Sequence, residues 1–218
     1  MKRSRFLVLL GFIVGCELIV QLMKNPIIFP SIQLVLTELG HIIFSSSFIS
    51  IVFATLVRTL LTFLIIFIIS LILGILSGYF NSLRIILSPM VTFLRTIPTI
   101  LVTIILLIWF GRELGPIMIM SLVIFPILYE LILGSMNQVD SDLLDVCLLF
   151  GATGYEKFKV LYYPQLLITL SSGIQATLGI SFKVMVMAEV MAQTSTGSGR
   201  QLNYEKTYLN MPAVFAYI

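Results

Sequence analysis

Long apolar runs, separated by short polar stretches, follow one another along the whole chain. A helix needs about 20 predominantly apolar residues to cross a bilayer, and most of the runs reach that length. Hydropathy therefore predicts five complete transmembrane helices, at Phe6 to Met23, Phe48 to Tyr79, Ile85 to Phe110, Pro116 to Met136 and Leu166 to Ala192. A last run, Met211 to Ile218, is too short to span and predicts the start of a sixth helix that the chain leaves truncated.

Composition agrees with a chain that lies almost entirely in lipid. Of its 218 residues 59% are hydrophobic and only 11% are charged, whereas about a quarter are charged in soluble domains. The spans and their short connections leave no room for a soluble domain. The predicted fold class is therefore an all-α polytopic membrane protein, with a single transmembrane domain over residues 1–218.

The distribution of basic residues predicts the orientation. Lys2, Arg3 and Arg5 precede the first run, so the positive-inside rule places the N-terminus in the cytoplasm. Alternation then places the polar loop from Asp140 to Tyr163 on the same side. The run ending at Cys16 also resembles a lipoprotein cleavage box, but apolar residues continue beyond it to spanning length, which favours an uncleaved first helix.

Two shorter segments are predicted outside the spans. Ser31 to Ser45 has the pattern of an amphipathic helix at the membrane interface, with Ser31 as its N-cap. Gly199 to Tyr208 is predicted to be less regular. Within the spans, Gly74 and Gly78 allow another helix to approach closely, and Pro98 is expected to kink the third span.

Several function classes lack their characteristic residues. The net charge of +3 comes from scattered residues, so no nucleic-acid partner is expected. The sequence contains no Walker A motif, no His-Glu-x-x-His and no Gly-x-Ser-x-Gly. It therefore lacks the motifs that ATP hydrolysis and the commonest protease mechanisms use. No metal or other cofactor is predicted, and any energy from ATP has to come from another polypeptide.

The polar loop is the most informative segment. Asp140, Ser141 or Asp142 can cap a short helix, and Gly151 permits a stop. Leu144, Cys147 and Leu148 share one face of this helix. Pro164 is expected to begin the next membrane helix, where its missing N–H costs little. The loop is therefore predicted to be helix, turn, helix.

The spacing of residues in this loop resembles the EAA loop of ABC importer permeases. The matching positions are Asp145, Val146, Cys147, Gly151, Leu161 and Pro164. The sequence departs from the motif in Asp for Glu, Val-Cys for Ala-Ala and Tyr163 for the usual Leu. The resemblance implies that residues 140–164, the coupling loop, form a cytoplasmic coupling helix that docks on a separate ATP-binding subunit.

Further segments are similar to the nitrate, sulfonate and taurine branch of that family, so that the resemblance covers about residues 28–218. These segments are Ile28 to Ser31, Phe93 to Pro98, Ile108 to Gly111, Ala188-Glu189 and Gly197 to Gly199. The resemblance implies a permease homodimer in the bacterial inner membrane that receives a small solute, or a vitamin precursor, from an extracytoplasmic binding protein. No internal repeat typical of secondary transporters is visible.

Charged residues within or near the apolar runs are candidates for a translocation path. They are Arg58, Glu130, Lys183 and Glu189. A charge at the bilayer centre costs about 3 kcal/mol on insertion scales, so such residues are expected to face the helix bundle or to reach an interface. Arg58 is a candidate partner of Glu189, whereas Arg95, near a cytoplasmic end, is interpreted as structural.

Two other functions stay open on these residues alone. In an ATP-independent channel or secondary carrier the charges would serve an ion pathway, and the coupling loop would be only a connection. A membrane-embedded enzyme would need paired catalytic groups at one depth, and the sequence offers no such constellation.

Overall fold

The computed structural model describes residues 30–217, and this part of the chain is helical except for short connections. The elements are α1 (Ile32–Ile43), α2 (Phe48–Tyr79), α3 (Asn81–Thr96), α4 (Thr99–Asn137), α5 (Ser141–Leu149), α6 (Gly154–Lys157), a π-helical turn (Phe158–Tyr162), α7 (Tyr163–Ala192), α8 (Ser198–Thr207) and α9 (Met211–Tyr217). The all-α class is confirmed. The predicted first span, Phe6 to Met23, lies outside the described residues.

Among the described residues, three helical stretches are long and apolar enough to cross a membrane. They are Phe48–Tyr79, Thr99–Asn137 and Gly154–Ala192. The first has the predicted bounds, and the other two contain the predicted spans Pro116 to Met136 and Leu166 to Ala192. The last stretch is longer than a crossing needs, and its polar beginning belongs to the coupling loop. The total of five spans and part of a sixth stays a prediction.

The prediction of one continuous helix from Ile85 to Phe110 is wrong. Helix α3 ends at Thr96, Ile97 is extended with φ −69° and ψ 132°, and Pro98 caps the start of α4. Proline has no N–H to donate, and it disfavours the helical conformation in the residue before it. The expected kink is therefore a complete break between two helices.

A second break lies inside α4. Gly111 has φ 69° and ψ −172°, a combination that is essentially restricted to glycine. A Cβ placed on Gly115 would lie 3.6 Å from Cα of Leu107, although eight residues of straight helix would separate them by about 12 Å. The chain therefore folds back at Gly111, so that the segments before and after it pack side by side.

The described chain divides into two compact units. The described residues of the terminal unit are 30–55 and 193–217, and the central unit is Leu56–Ala192. In the described part of the terminal unit, α9 packs against α1 and α8, and the Ser198 N–H donates to Thr55 Oγ1 at 2.7 Å. The predicted helix after Ser31 is confirmed, with Ser31 as its N-cap. Residues 199–208, predicted to be irregular, lie mostly in helix α8.

Helices α2 and α4 pack closely in the central unit. A Cβ on Gly74 would lie 2.7 Å from Cγ2 of Ile132, and one on Gly78 would lie 2.8 Å from Cβ of Met136. Real Cβ atoms essentially never come so near another carbon, so both positions require glycine for this contact. The predicted close approach is confirmed. On the other side of α4, Gly173 of α7 packs in the same way against Leu131.

Alanine at Gly74 and at Gly134 is expected to change stability in opposite directions. A methyl group on Gly74 overlaps Ile132, whereas one on Gly134, also inside a helix, meets nothing within 4 Å. Overpacking costs about 1–3 kcal/mol, and alanine in an open helical site gains up to about 1 kcal/mol over glycine. Thermal unfolding of the purified variants in detergent measures both. Equal shifts of the same sign would contradict the close contact of α2 with α4.

Candidate coupling loop and intramembrane charges

Helix α5 has a defined beginning and end. The Asp140 carboxylate caps it by accepting the Asp142 N–H at 2.9 Å. At the other end Gly151 has φ +68°, its N–H donates to the Leu148 carbonyl at 3.0 Å, and the Ala152 N–H donates to the Cys147 carbonyl at 2.9 Å. These two bonds form a Schellman motif, which glycine at this position favours. Gly151 therefore stops the helix, as predicted.

A capping box starts the next helix almost immediately. The Thr153 N–H donates to the Glu156 carboxylate at 2.7 Å, and the Glu156 N–H donates to Thr153 Oγ1 at 3.3 Å. The hydrogen bonds from the Thr153 N–H and hydroxyl hold the pKa of the Glu156 carboxyl below its ordinary value. The predicted order of helix, turn and helix is confirmed, with only a few residues in the turn.

Pro164 does not begin the membrane helix. Helix α6 continues through the π-helical turn into α7, and the Tyr163 N–H reaches back five residues to the Phe158 carbonyl. Pro164 has no N–H to continue the regular ladder, and a wider turn directly before it accommodates that loss. Leu161 is half-buried in the π-helical turn, whereas Pro164 is exposed.

The ends of the coupling loop are attached to three long helices. The Gln165 side-chain amide donates to Gln138 Oε1 at 2.9 Å, which joins the start of α7 to the residue after α4. The ring of Tyr162 lies 5.2 Å, centroid to centroid, from the ring of Tyr79 at the end of α2. The ends of the loop therefore contact α2, α4 and α7.

The C-terminal end of α5 is apolar and exposed. Leu149 and Phe150 are each 86% exposed, and Leu148 and Val146 are exposed as well. Asp145 is exposed beside them, and the Cys147 thiol is partly buried. An exposed cluster of large apolar side chains is typical of a surface that another protein covers.

The predicted pair of Arg58 and Glu189 is present. The Arg58 guanidinium of α2 donates to the Glu189 carboxylate of α7, and its other nitrogen lies 3.4 Å from Glu113 of α4. The Glu189 side chain is fully buried and that of Arg58 is 14% exposed. Sequence reasoning missed Glu113, because only the fold-back at Gly111 brings this residue to Arg58.

Arg95 and Glu130 form a second ion pair, between the last turn of α3 and a residue about two turns before the end of α4. Their side chains are 53% and 42% exposed. Arg95 is thus paired with the candidate path residue Glu130, and it lies beside the break at Ile97. Lys183 lies apart from both pairs, on the exposed side of α7, with no carboxylate within 4.0 Å among the described residues. The four candidate path residues therefore lie at three separate sites: the pair of Arg58 and Glu189, the pair that contains Glu130, and Lys183.

Comparison with known proteins gives the family. Residues 70–218, which include the whole coupling loop, match the model of the binding-protein-dependent transport system inner membrane component. The chain belongs to this family of ABC transporter permeases. Such permeases are membrane-embedded transport components rather than enzymes, which agrees with the predicted class.

Two similar proteins are also permeases by name. A protein of Methanocaldococcus jannaschii named as an ABC transporter permease is 28% identical over 206 residues, which cover 92% of this chain and 77% of that protein. SsuC of Bacillus subtilis, named as an aliphatic sulfonates transport permease, is 27% identical over 143 residues, 65% of this chain and 51% of SsuC. The importer type of the permease is supported by the likeness to SsuC.

Proposed function

We propose that this permease imports a small solute by alternating access, with the energy supplied by ATP hydrolysis in a separate subunit that binds the coupling loop. The observation that carries the proposal is the exposed apolar end of α5, at Leu149 and Phe150, on a loop attached to three long helices. A soluble partner that covers this surface would move those helices when it changes shape.

The resembling positions have physical roles in this proposal. Gly151 ends α5 so that Phe150 projects from its tip, and Asp145 and Val146 form the exposed side of the helix. Leu161 and Pro164 lie in or beside the π-helical turn that carries displacement from the loop into α7. Cys147 is partly buried and contributes one of the carbonyl groups that the Schellman motif uses.

A second copy of the chain completes the translocation path in this proposal. The Arg95 and Glu130 side chains and Lys183 are exposed on helices that are otherwise apolar, and lipid is a poor environment for them. A path between two permeases would give these charges a polar environment. The buried pair of Arg58 and Glu189 would hold α2 and α7 together beside that path.

The delivered solute is proposed to be a small organic anion of the sulfonate type, which an extracytoplasmic binding protein presents. This part of the proposal rests on the name of SsuC, an aliphatic sulfonates transport permease. The proposal puts the N-terminus and the coupling loop in the cytoplasm, on the side of the ATP-binding subunit, and the basic residues before the first apolar run support this orientation.

Uptake by the reconstituted system is expected to require ATP. The permease, its ATP-binding subunit and its binding protein are incorporated in liposomes, and the entry of radiolabelled ethanesulfonate is measured with and without ATP inside. Accumulation is expected only with ATP and with an ATP-binding subunit that hydrolyses it. Equal accumulation without ATP would contradict the proposal and favour a secondary carrier.

A further inference from the structure

The exposed surfaces of the two long helices α2 and α7 differ in chemistry. Every exposed residue of α2 within the central unit between Leu56 and Leu76 is a leucine or an isoleucine. Such a surface is suited to contact with lipid chains, and it contains nothing that a hydrophilic solute could bind. Helix α2 therefore presents a lipid-facing surface.

Helix α7 exposes apolar side chains such as Ile168, Ile180 and Met187, but unlike α2 it also exposes polar groups. The exposed residues Ser172, Gln175, Gly179 and Lys183 follow one another at intervals of three, four and four positions. Residues at this spacing lie on one side of a helix. A Cβ on Gly179 would meet nothing within 4 Å, so the surface next to Lys183 is open. Within the central unit, this polar row is accessible from outside.

The polar row extends through the middle of the helix. Lys183 lies nine positions before Ala192, which corresponds to about 13 Å along the axis. Gln175 and Ser172 lie further from that end, on the other side of the midpoint of α7. The Ser172 hydroxyl donates to the Thr169 carbonyl of its own helix at 3.0 Å, so it is satisfied without a polar environment. A long lysine side chain can reach toward the nearer interface, but the exposed Gln175 cannot, so the Gln175 amide requires a polar environment at membrane depth.

The charges of the membrane helices leave Lys183 as an excess cation. The Arg58 guanidinium is paired with Glu189, and the Arg95 guanidinium is paired with Glu130. Lys183 has no carboxylate within 4.0 Å in the described part of the chain. An ammonium group on an open polar surface, beside a glycine that leaves space, is suited to binding an anionic group of a ligand.

We infer that Lys183 binds the anionic group of the transported solute and thereby selects small anions in the translocation path. The inference rests on the proposed transport function and adds to it a specificity-determining residue. The ammonium group donates hydrogen bonds to the oxygens of a sulfonate or a similar oxyanion, and Gly179, one turn away, leaves room for the solute. Helix α7 is then the solute-contacting helix of each permease.

Neutral substitution of Lys183 is expected to raise the KM of ethanesulfonate uptake about tenfold or more, because a hydrogen bond to a charged group is lost. Lys183→Met is compared with Lys183→Arg, which keeps the charge and is expected to keep most of the affinity. Lys206→Met, an exposed lysine of α8, is the matched control and is expected to leave KM unchanged. Uptake is measured in liposomes with all partner subunits present.

Chemical labelling tests the site independently of uptake. Lys183→Cys is expected to react with a sulfonate-bearing methanethiosulfonate reagent, and excess ethanesulfonate is expected to slow that reaction. Leu61→Cys, on the lipid-facing surface of α2, is expected to stay unlabelled. The unsubstituted chain, with its own two cysteines, gives the background.

The outcomes separate this inference from the proposed function. If the unsubstituted system shows ATP-driven uptake but Lys183→Met has an unchanged KM, or Lys183→Cys is labelled at the rate of Leu61→Cys, the role of Lys183 is refuted and the transport function stands. If labelling and its protection by ethanesulfonate occur but uptake does not depend on ATP, anion binding at Lys183 stands and the ATP-driven mechanism is lost.

Discussion

Replacing Phe150 by Asp is expected to release the ATP-binding subunit from the permease. The phenyl ring is 86% exposed at the tip of α5, and in the proposed complex it fills an apolar part of the subunit surface. A charge there would be buried without a partner, and the loss of one central aromatic contact alone costs about 2 kcal/mol or roughly thirtyfold in affinity. Co-purification of a tagged permease with the subunit in detergent measures the loss.

Phe44→Asp is the matched control for this experiment. Phe44 is 90% exposed and lies at the end of α1, in the terminal unit rather than in the coupling loop. This substitution is expected to leave the ATP-binding subunit bound. Gly151→Trp and Asp145→Lys, in the loop itself, are expected to weaken binding as Phe150→Asp does. Unchanged retention by all three loop variants would remove the main support for ATP coupling through this loop.

Replacing Arg58 by Met is expected to destabilise the permease by about 3–5 kcal/mol, because the fully buried Glu189 carboxylate would lose its partner. Replacing Arg58 and Glu189 together by Met is expected to cost much less, since no fully buried charge is left uncompensated. The Glu113 carboxylate that also contacts Arg58 is 46% exposed and lies 3.9 Å from Arg112. Unfolding of the purified variants by heat or denaturant in detergent gives the differences in the free energy of unfolding.

Arg95→Met removes one partner of an exposed ion pair and is compared with Arg58→Met, which removes one partner of a buried pair. The side chains of Arg95 and Glu130 are 53% and 42% exposed, so the loss of this pair is expected to change the free energy of unfolding by less than about 1 kcal/mol. The same change of Arg to Met is thus expected to lower the free energy of unfolding much more at the buried pair than at the exposed pair. A double variant as unstable as Arg58→Met alone would show that packing, rather than the unpaired charge, dominates at Arg58.

The parts of the fold that sequence could predict depend on local signals. The bounds of α2, at Phe48 and Tyr79, follow from an uninterrupted apolar run, because the transfer of its residues from water into lipid is favourable. The caps of α5 at Asp140 and Gly151 were also predictable, since both act through side-chain or backbone properties of the residue itself. The pairing of Arg58 with Glu189 followed from the cost of a lone charge in lipid.

The parts that sequence could not predict depend on how distant segments meet. Hydropathy continues unchanged across Ile97 and Pro98, so it cannot distinguish a kinked helix from two separate ones. The break at Gly111 lies in the predicted connection between the apolar runs that end at Phe110 and begin at Pro116, but hydropathy does not show that it brings Glu113 to Arg58. The π-helical turn before Pro164 likewise arises only because α6 and α7 continue as one helical path.

The short turn between α5 and α6 leaves the coupling loop little freedom to bend. The Schellman motif at Gly151 and the capping box at Thr153 follow each other directly, so almost every backbone amide in the turn is already held. A linker whose amides are not hydrogen-bonded can bend when one of the flanking helices moves. This turn is held by hydrogen bonds and keeps the angle between α5 and α6 nearly fixed. In the proposed mechanism, a partner that displaces Phe150 would therefore also displace α6 and α7, because the turn between the helices cannot absorb the movement.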